Sequence, residues 1–397
     1  MTQAQVEHKK ILIAPAMLGM LGGGQLGRFF VIAAHEMGYQ VTVLDPDKNS
    51  PAGKIADVHI CANFDDANAL EKMAATCQAF TTEFENVPAA SLEKLALTSI
   101  VRPSAKSVAI AQNRVLEKNF IKDAGLPVAP FAVINTMQDL PDDASSLYPA
   151  ILKVARFGYD GKGQARVKNQ AEAQKAFVEF KQEICVLEQM LQLDLEVSVV
   201  LARDAEGRIA AFPTAENSHL NGILDISIAP ARTSEVLKAN AQALAKKLAE
   251  KLDYVGVLGV EFFVVGKDLL VNEIAPRPHN SGHYTIDACI TNQFEQQVRV
   301  MTGLPLGSPD LHSNAVMVNI LGDSWFSNAK SAREKIDTLE PEWNKAFGHA
   351  NLKLHLYCKH EPRQGRKMGH FTVIGNDADA ALNTALIARN QLNIATY

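Results

Sequence analysis

The chain has 397 residues, of which 47% are hydrophobic, and a net charge of −5 from 39 Lys and Arg against 44 Asp and Glu. This length allows two or three domains with their own cores, and the slightly acidic balance argues against a nucleic-acid binder, which would show a basic face. No apolar stretch reaches the roughly 18 to 20 residues of a membrane span, and the five cysteines lack metal-binding spacing, so we expect them to be reduced in a cytoplasmic protein.

A glycine-rich turn between a short strand and a helix is the first functional signal. Residues 17–21 form an apolar run, residues 22–27 read GGGQLG, and residues 28–37 predict a helix that ends at Gly38. The next predicted strand ends at Asp45, and this order fits the dinucleotide-binding fingerprint. Glycines also permit tight turns in other phosphate-binding domains, so the residues alone leave NAD and other ligands open.

Strand and helix patterns continue to alternate after this turn. Strand patterns at residues 58–62 and 79–84 flank a helix pattern at 67–77, which predicts a parallel sheet covered by helices. Functional loops follow the strand ends in such sheets, so polar residues after the last strand are candidate ligand contacts, although a polar loop needs no ligand. These residues are Thr82, Glu83, Glu85 and Asn86.

A long helix and a second glycine-rich loop come next. Residues 107–124 predict one helix, with Ser107 as its N-cap and Gly125 after its end, and we expect the first domain boundary near it. Lys153 interrupts an apolar strand, where an unpaired ammonium would be unfavourable, so we expect an anion beside it. The loop at residues 156–164 (RFGYDGKGQ) predicts either a lid that wraps a polyphosphate or a plain hairpin turn.

Two acidic residues lie on the strands predicted after the lid. Residues 184–189 form a strand pattern that contains Glu188, and Glu196 shares a face with Ser198 in the alternating run 195–203. Either carboxylate could accept a hydrogen bond from an adenine amine or a ribose. Either could also face solvent, as isolated strand acids often do.

An acidic hairpin at residues 256–274 organises the chain. Two runs of β-branched and aromatic residues flank residues 266–268, and a three-residue loop there places Glu261 opposite Glu273. Opposed carboxylates repel by roughly 3 kcal/mol at an effective dielectric of 20, which a bridging Mg²⁺, a shared proton or a nearby Lys or Arg would offset. Asn272 adds an oxygen, although strict alternation turns it to the opposite face. An ordinary hairpin with its acids in water is the alternative.

A polar loop follows the acidic strand, and the chain then becomes β-rich. Arg277, His279 and Asn280 lie in a proline-stiffened loop, and acids followed by Arg and His indicate phosphoryl chemistry. Residues 359–367 (KHEPRQGRK) form the densest basic loop, which is either a solvated hairpin tip or a phosphate site. The remaining elements are predicted helices at 234–252 and at 292–301, the second capped by Gly303, then strands at 315–321, 352–358 and 370–374 and a helix at 377–392.

Together, these motifs resemble the ATP-grasp enzymes, and specifically the N5-carboxyaminoimidazole ribonucleotide synthase family, which are ATP-dependent carboxylases of purine synthesis. The matching motifs are GGGQLGR at 22–28, EFENVP at 83–88, RFGYDGKGQ at 156–164, NEIAPRPHNSGH at 272–283 and GRKMGH at 365–370. The resemblance implies an α/β ATP-grasp fold in three parts. These are an N-terminal Rossmann-like pre-ATP-grasp domain (1–109), an ATP-grasp domain (110–305) with a flexible lid at about 125–192, and a β-rich C-terminal domain (306–397). It also implies a homodimer that uses ATP, Mg²⁺ and bicarbonate.

The resemblance also implies which residues contact each ligand. For ATP they are Arg114, Lys153, Gly158, Tyr159, Asp160, Gly161, Lys162, Gly163, Gln164, Glu188, Gln189, Met190, Leu191, Glu196, His219, Asn272 and Glu273. Mg²⁺ would be bound by Glu261 and Glu273, and the reacting carbonate would be surrounded by the catalytic residues Tyr159, Asp160, Arg277, His279 and Asn280. For 5-aminoimidazole ribonucleotide they are Gln25, Glu83, Lys359, Arg366 and Lys367, the last three at its 5′-phosphate. The turn at 22–27 would then face the ribonucleotide and not NAD.

Three alternative functions stay open. Another ATP-grasp carboxylate-amine ligase, or a formate-dependent ribonucleotide transformylase, would share the glycine loops but not the NSGH and GRKMGH segments. An NAD dehydrogenase would need nicotinamide binding at residues 22–27. A nucleotide sensor would bind ATP without cleaving it.

Overall fold

The computed structural model describes residues 11–156, 158, 163–326 and 339–394. Four predicted site residues, Tyr159, Asp160, Gly161 and Lys162, lie outside the described residues. The described elements form three sheets with helices packed against them, which confirms the predicted α/β class. No helix within these ranges is both long enough and apolar enough to cross a membrane.

The N-terminal sheet is parallel, as the alternation of strands and helices predicts. Its strands lie in the order β3-β2-β1-β4-β5 and are β1 (Met17–Leu21), β2 (Gln40–Leu44), β3 (Val58–Ile60), β4 (Ala79–Thr82) and β5 (Ile100–Val101). The connecting helices are α1 (Gln25–Glu36), α2 (Ala67–Thr76) and α3 (Ala89–Ala96). Helix α1 begins directly after the glycine turn, earlier than the predicted residue 28, and packs Phe29 and Phe30 into the core of this sheet.

The helix predicted at residues 107–124 is in fact two helices. They are α4 (Ala105–Ala111) and α5 (Arg114–Asp123). The backbone of Asn113 is extended, and its Oδ1 accepts hydrogen bonds from two amides of the following turn, so it acts as the N-cap of α5. The prediction of one helix was wrong because this side chain competes with the backbone for those hydrogen bonds, which apolar spacing does not reveal.

A four-stranded antiparallel sheet lies in the range expected for the lid. Its strands are in the order β6-β9-β7-β8 and are β6 (Phe131–Ile134), β7 (Ala150–Val154), β8 (Gln164–Val167) and β9 (Cys185–Gln189), with helix α6 (Gln170–Glu179) against them. Buried Leu152, Phe177 and Leu187 hold the helix on the sheet. Strands β7 and β8 pair antiparallel and precede and follow the glycine loop in the sequence; these two strands are called the lid hairpin below.

The largest sheet joins the acidic hairpin to the C-terminal strands. Its strands are β10 (Leu195–Arg203), β11 (Ile209–Ala211), β12 (Ala215–Leu220), β13 (Ile223–Ala229), β14 (Gly256–Val265), β15 (Asp268–Ala275), β16 (Asn314–Leu321), β17 (Leu352–Leu356) and β18 (Lys367–Gly375). The order is β15-β14-β10-β12-β13-β16-β18-β17, and β11 pairs with β10. The helices of this region are α7 (Glu235–Lys251), α8 (Thr285–Ala288), α9 (Gln293–Thr302), α10 (Trp343–Ala346) and α11 (Ala378–Gln391). Helix α9 also packs on α1 and so joins the N-terminal domain to this sheet.

Candidate active site

The turn of the acidic hairpin is shorter than predicted. Val265 pairs with Asp268, so β14 and β15 are joined by the two residues Gly266-Lys267. The φ angle of Gly266 is +60°, a left-handed value that glycine adopts readily and that suits a two-residue hairpin turn. This shorter turn alone would place Glu261 opposite the residue before Glu273.

A bulge at Asn272 restores the predicted pairing of the two acids. Phe262 pairs with Val271, but Glu261, which precedes Phe262 on β14, pairs with Glu273. Asn272 is therefore the extra residue of β15. The predicted opposition of Glu261 and Glu273 is therefore confirmed. The bulge also brings Asn272 Nδ2 to 3.5 Å from Glu261 Oε2, so the expectation that alternation turns Asn272 away was wrong.

Neighbouring charges give the two acids different proton affinities. Burial and the charge of Glu273 raise the pKa of Glu261 to about 7. Burial also opposes ionisation of Glu273, but Arg114 and Lys153 outweigh it and lower its pKa, with Arg114 Nη1 at 3.3 Å from Glu273 Oε2. Asn272 Oδ1 is buried with no hydrogen-bond partner in the described chain. Two carboxylates and an unpaired amide oxygen form a donor set that suits Mg²⁺.

Lys153 meets an anion, as predicted, and that anion is Glu188. Glu188 Oε1 lies 3.2 Å from Lys153 Nζ, and Glu188 Oε2 lies 3.1 Å from Lys118 Nζ. Burial opposes ionisation of Glu188, but the two lysines outweigh it and lower its pKa to about 2. Glu188 is thus a buried carboxylate between two ammonium groups, and the alternative of a solvent-facing strand acid is wrong.

Glu196 and His219 form a second charged pair beside the hairpin. His219 Nδ1 lies 3.0 Å from Glu196 Oε2. Burial opposes the charge of His219, but the hydrogen bond to Glu196 and the charges of Glu261 and Glu273 outweigh it and raise its pKa to about 9. His219 is therefore a cation at neutral pH, close to the acid pair.

The remaining predicted nucleotide contacts lie on or next to the strands of the lid sheet, and Arg114 reaches the lid hairpin from helix α5. Arg114 Nη2 donates to Gly158 O at 3.2 Å, so helix α5 reaches the glycine loop. The other described members are placed by their strands: Gly163 and Gln164 at the start of β8, Gln189 at the end of β9, and Met190 and Leu191 between β9 and β10. Arg114 is the link between this hairpin and the acid pair.

The polar loop after β15 is buried against the N-terminal domain. Arg277 Nε donates to Glu85 Oε2 at 2.5 Å, so this arginine is paired with the loop after β4. Burial, together with the charge of Arg277, lowers the pKa of His279 well below its ordinary value, so the His279 ring is neutral. Asn280 is also buried, and both of its amide atoms lack partners among the described residues. Unpaired buried amides are rare and are explained by a ligand or an ordered water.

Two residues that hold this site in place were missed by the sequence reasoning. Gln293 Nε2 donates to His279 O and Gln293 Oε1 accepts from His279 N, each at 2.8 Å, so one side chain fixes both backbone groups of His279. Helix α9 was predicted, but nothing in the sequence separated Gln293 from its neighbouring glutamines. Glu117 bonds the backbone of β15, and its spacing of three from Arg114 could have placed it on the same helix face.

Glu83 occupies the position at the glycine turn where a dinucleotide phosphate would have to bind. Gly24 N and Gly27 N donate to the Glu83 carboxylate, the second at 2.6 Å, and Gly23 N donates to Asp45 Oδ2 at 2.7 Å. A Cβ atom on Gly24 would lie 2.5 Å from Glu83 Oε1, so this close approach requires glycine. The amides at the start of α1 are satisfied within the chain, which disfavours a dinucleotide site.

The basic loop and the N-terminal domain enclose a cavity of about 280 Å³. It is lined by Asp47, Asn49, Pro51, Lys359, His360, Glu361, Arg363 and Arg366. Lys367, the third predicted phosphate contact, begins β18, and its backbone O accepts from Lys359 Nζ at 2.7 Å. Arg28 Nη1 donates to Pro51 O at 3.2 Å, which ties the cavity to the helix that begins at Gln25.

Family models match all three parts of the chain. They are the ribonucleotide synthetase preATP-grasp domain at residues 16–112, the ATP-grasp domain at 119–294, and the phosphoribosylaminoimidazole carboxylase C-terminal domain at 315–384. The N5-carboxyaminoimidazole ribonucleotide synthase of Bacillus subtilis is 43% identical over 373 residues, which cover 94% of each chain. The synthase of Brucella melitensis is 43% identical over 362 residues, which cover 90% of this chain and 96% of the relative.

Solved structures give the same similarity. An N5-carboxyaminoimidazole ribonucleotide synthetase in its ADP complex matches with a TM-score of 0.88 and 39% identity, covering 97% of this chain and 99% of that one. The synthase of Aspergillus clavatus, solved with ADP and 5-aminoimidazole ribonucleotide, matches with a TM-score of 0.86 and 31% identity, covering 96% of this chain and 99% of that one. The similarity therefore extends over nearly the whole length of both chains.

Proposed function

The chain belongs to the N5-carboxyaminoimidazole ribonucleotide synthase family of ATP-dependent ligases, and we propose that it carboxylates 5-aminoimidazole ribonucleotide in purine biosynthesis. Its co-substrates are ATP and bicarbonate, and its products are N5-carboxyaminoimidazole ribonucleotide, ADP and phosphate. The observation that carries the proposal is the opposed pair Glu261 and Glu273, flanked by Arg114 and Lys153 next to the lid hairpin. Acids and fixed cations arranged in this way serve phosphoryl transfer, where catalysis is mainly positioning and charge stabilisation.

ATP binds between the lid hairpin and the edge of the largest sheet in this proposal. Arg114 and Lys153 contact its phosphates, and the loop at residues 158–164 covers them. Glu188 and Glu196 lie next to the adenine and ribose. The support is electrostatic: Arg114 and Lys153 lie close enough to Glu273 to lower its pKa, and a polyphosphate beside the acid pair is a ligand that such cations favour.

Glu261 and Glu273 are the proposed Mg²⁺ ligands, with Asn272 beside them. Their fit rests on two observations, the raised pKa of Glu261 and the unpaired buried oxygen of Asn272. When bound, Mg²⁺ would neutralise charge on the phosphate oxygens. The chain itself supplies Arg114, which holds the Glu273 carboxylate in place.

The proposed chemistry has two steps. An oxygen of bicarbonate attacks the γ-phosphorus, the bond to ADP breaks, and carboxyphosphate forms. The amine of the ribonucleotide then attacks the carbon of carboxyphosphate, or of CO₂ released from it, phosphate leaves, and the nitrogen loses a proton. Arg277, neutral His279 and the unpaired amide of Asn280 lie on the loop that would surround the carbonate. Carboxyphosphate hydrolyses readily, so the lid must exclude water.

The ribonucleotide lies against the N-terminal domain in this proposal. Lys359, Arg366 and Lys367 bind its 5′-phosphate, which is supported by the cavity that the basic loop shares with the N-terminal domain. Gln25 and Glu83 line the pocket beside the glycine turn. We also propose domain boundaries at residues 109 and 305, a homodimer and a cytoplasmic location. Light scattering would check the homodimer, and cell fractionation would check the location.

The test is ADP release by the purified protein in buffer depleted of bicarbonate. We expect release only when both bicarbonate and 5-aminoimidazole ribonucleotide are added, and none when formate or glycine replaces bicarbonate. Glu273→Gln should abolish release, whereas Asp268→Asn, an exposed acid on the same strand, should retain it. Turnover that is indifferent to bicarbonate would contradict the proposed reaction, and turnover with formate would indicate a transformylase.

A further inference from the structure

Strand β15 lies at an edge of the largest sheet, so its outer backbone groups need partners from outside that sheet. Along the described residues, β15 forms a ladder only with β14, and one isolated bridge joins Val271 to Val128. Val271 N donates to Pro127 O at 2.8 Å. Beyond Val271, the bulge and the two residues after it have no described strand on the outer side of β15. Their outward backbone groups would be left without partners there. A buried, unpaired backbone group is unfavourable by about 1 to 3 kcal/mol.

One turn of helix α5 supplies the missing partners. Lys118 Nζ donates to Asn272 O at 2.9 Å, and Ile274 N donates to Glu117 Oε1 at 2.6 Å. Arg114 lies three and four residues before these side chains, on the same helix face, and its guanidinium reaches the Glu273 carboxylate between the two backbone contacts. Three successive residues of β15 are thus each bonded by one helix face.

Glu117 and Lys118 are both buried, so the presence of charged residues at these positions needs a structural reason. Only 2% of Glu117 and none of Lys118 is exposed. An ionisable side chain is costly to bury unless it is bonded, and apolar residues would fill a helix face at lower cost. Apolar residues could not bond the backbone of a bulge.

We propose that Glu117 and Lys118 are positioning residues that hold the bulge of β15 in register and so aim Glu273 and Asn272 at the nucleotide-bound metal. This inference rests on the proposed function, which assigns the metal to these residues. A slip of one position turns the side chains of a strand to the opposite face, so loss of the bulge would remove Glu273 from Glu261. The ribonucleotide pocket lies on another element and should be unaffected.

The test compares substitutions of Glu117 with a control on the same helix. Glu117→Leu removes the acceptor for Ile274 N, Glu117→Asp shortens its reach, and Glu117→Gln keeps an acceptor of the same length. Ile121→Ala is the matched control, because Ile121 is fully buried in α5 and its loss destabilises the helix while leaving the bonds to β15 in place. The measurement is ADP affinity by calorimetry over a series of Mg²⁺ concentrations, at a temperature where each variant is folded.

We expect Glu117→Leu to raise the Mg²⁺ concentration needed for tight ADP binding by about 10- to 100-fold, the range found when groups that orient metal ligands are removed. Glu117→Gln should stay close to the wild type and Glu117→Asp should fall between them. The Ile274 amide should exchange hydrogen faster in Glu117→Leu than in Glu117→Gln. The KM for the ribonucleotide should not change in any variant.

Three outcomes would overturn the inference, and they are distinguishable. Equal changes in the Mg²⁺ requirement for Glu117→Leu and Ile121→Ala would mean that Glu117 serves only the stability of α5. If Glu117→Leu does not fold, a normal Mg²⁺ requirement in Glu117→Asp would refute the positioning role. ADP binding by the wild type that does not depend on Mg²⁺ would instead remove the proposed metal site, and this inference with it.

Discussion

Replacing Glu261 by Gln tests whether ionised Glu261 destabilises the metal-free protein. The pKa of Glu261 is raised from 4.5 to about 7. A shift of that size corresponds to about 3 kcal/mol of unfavourable free energy once the group is ionised. Burial is the largest cause of this shift and the charge of Glu273 is the second, so desolvation and repulsion together make ionised Glu261 a sizeable cost in the free energy of folding.

The sign of the pH dependence follows from the direction of the shift. A carboxyl whose pKa is higher in the folded state holds its proton more tightly there, so its stabilising effect is complete below the unfolded pKa of 4.5 and is lost as the pH rises through about 7. Burial and the charge of Glu273 raise the pKa of Glu117 to about 8. Its effect on stability therefore has the same sign, and it is present in both the wild type and the variant. At pH 8 without metal, Glu261→Gln should therefore be more stable than the wild type by up to about 3 kcal/mol, or about 4 °C in Tm for this length.

Scanning calorimetry in EDTA at pH 5 and pH 8 would measure this difference. The variant and the wild type should differ little at pH 5, and the gap should open at pH 8. Glu235→Gln, which alters an exposed acid in the first turn of α7, is the control and should show no such gap. Mg²⁺ and ADP together should then stabilise the wild type more than the variant. A difference in Tm that is the same at both pH values would refute the reasoning.

Two further substitutions test the phosphate site and the buried lysines. Arg366→Ala should raise the KM for the ribonucleotide at least about tenfold while the KM for ATP stays constant, because the lost contact is to a phosphate remote from the chemistry. Lys353→Ala, an exposed cation of β17, is its control, and equal effects on both substrates would remove the role of Arg366. Glu188→Gln should destabilise the protein by about 3 to 5 kcal/mol, because two buried ammonium groups lose their counter-charge. Urea unfolding measures this, and Lys118→Met in the same chain should recover part of the loss.

The acidic hairpin shows how a sequence can predict a contact correctly from a wrong geometry. The predicted three-residue loop and the observed two-residue turn with a bulge both place Glu261 opposite Glu273. The turn residues and the strand pattern were visible in the sequence, and they were enough to identify the pair. The bulge was not visible, because it depends on a helix that begins more than 150 residues earlier, at Arg114.

Contacts within one element were predicted better than contacts between elements. The N-cap of α7 at Ser234 and the left-handed Gly303 after α9 lie where the local residue pattern places them. The partner of Lys153 could be predicted only as an anion, since Glu188 comes from another strand of the lid sheet. The role of Glu83 at the glycine turn was equally hidden, because the fingerprint specifies the glycines and not the group that they approach.

The buried charges also limit how the lid can move. Lys118 donates to Asn272 O in β15 and pairs with Glu188 in the lid sheet, so one ammonium group joins β15 to β9. A rotation of the whole lid sheet away from α5 would break the buried ion pair of Glu188 and Lys118, which is unfavourable although Glu188 keeps Lys153 and Lys118 keeps its bond to Asn272 O. The base of the lid is therefore fixed to the helix that positions Glu273. If the lid opens for ATP, as we propose, we expect the opening to take place farther from α5 than this junction, which would leave the acid pair undisturbed.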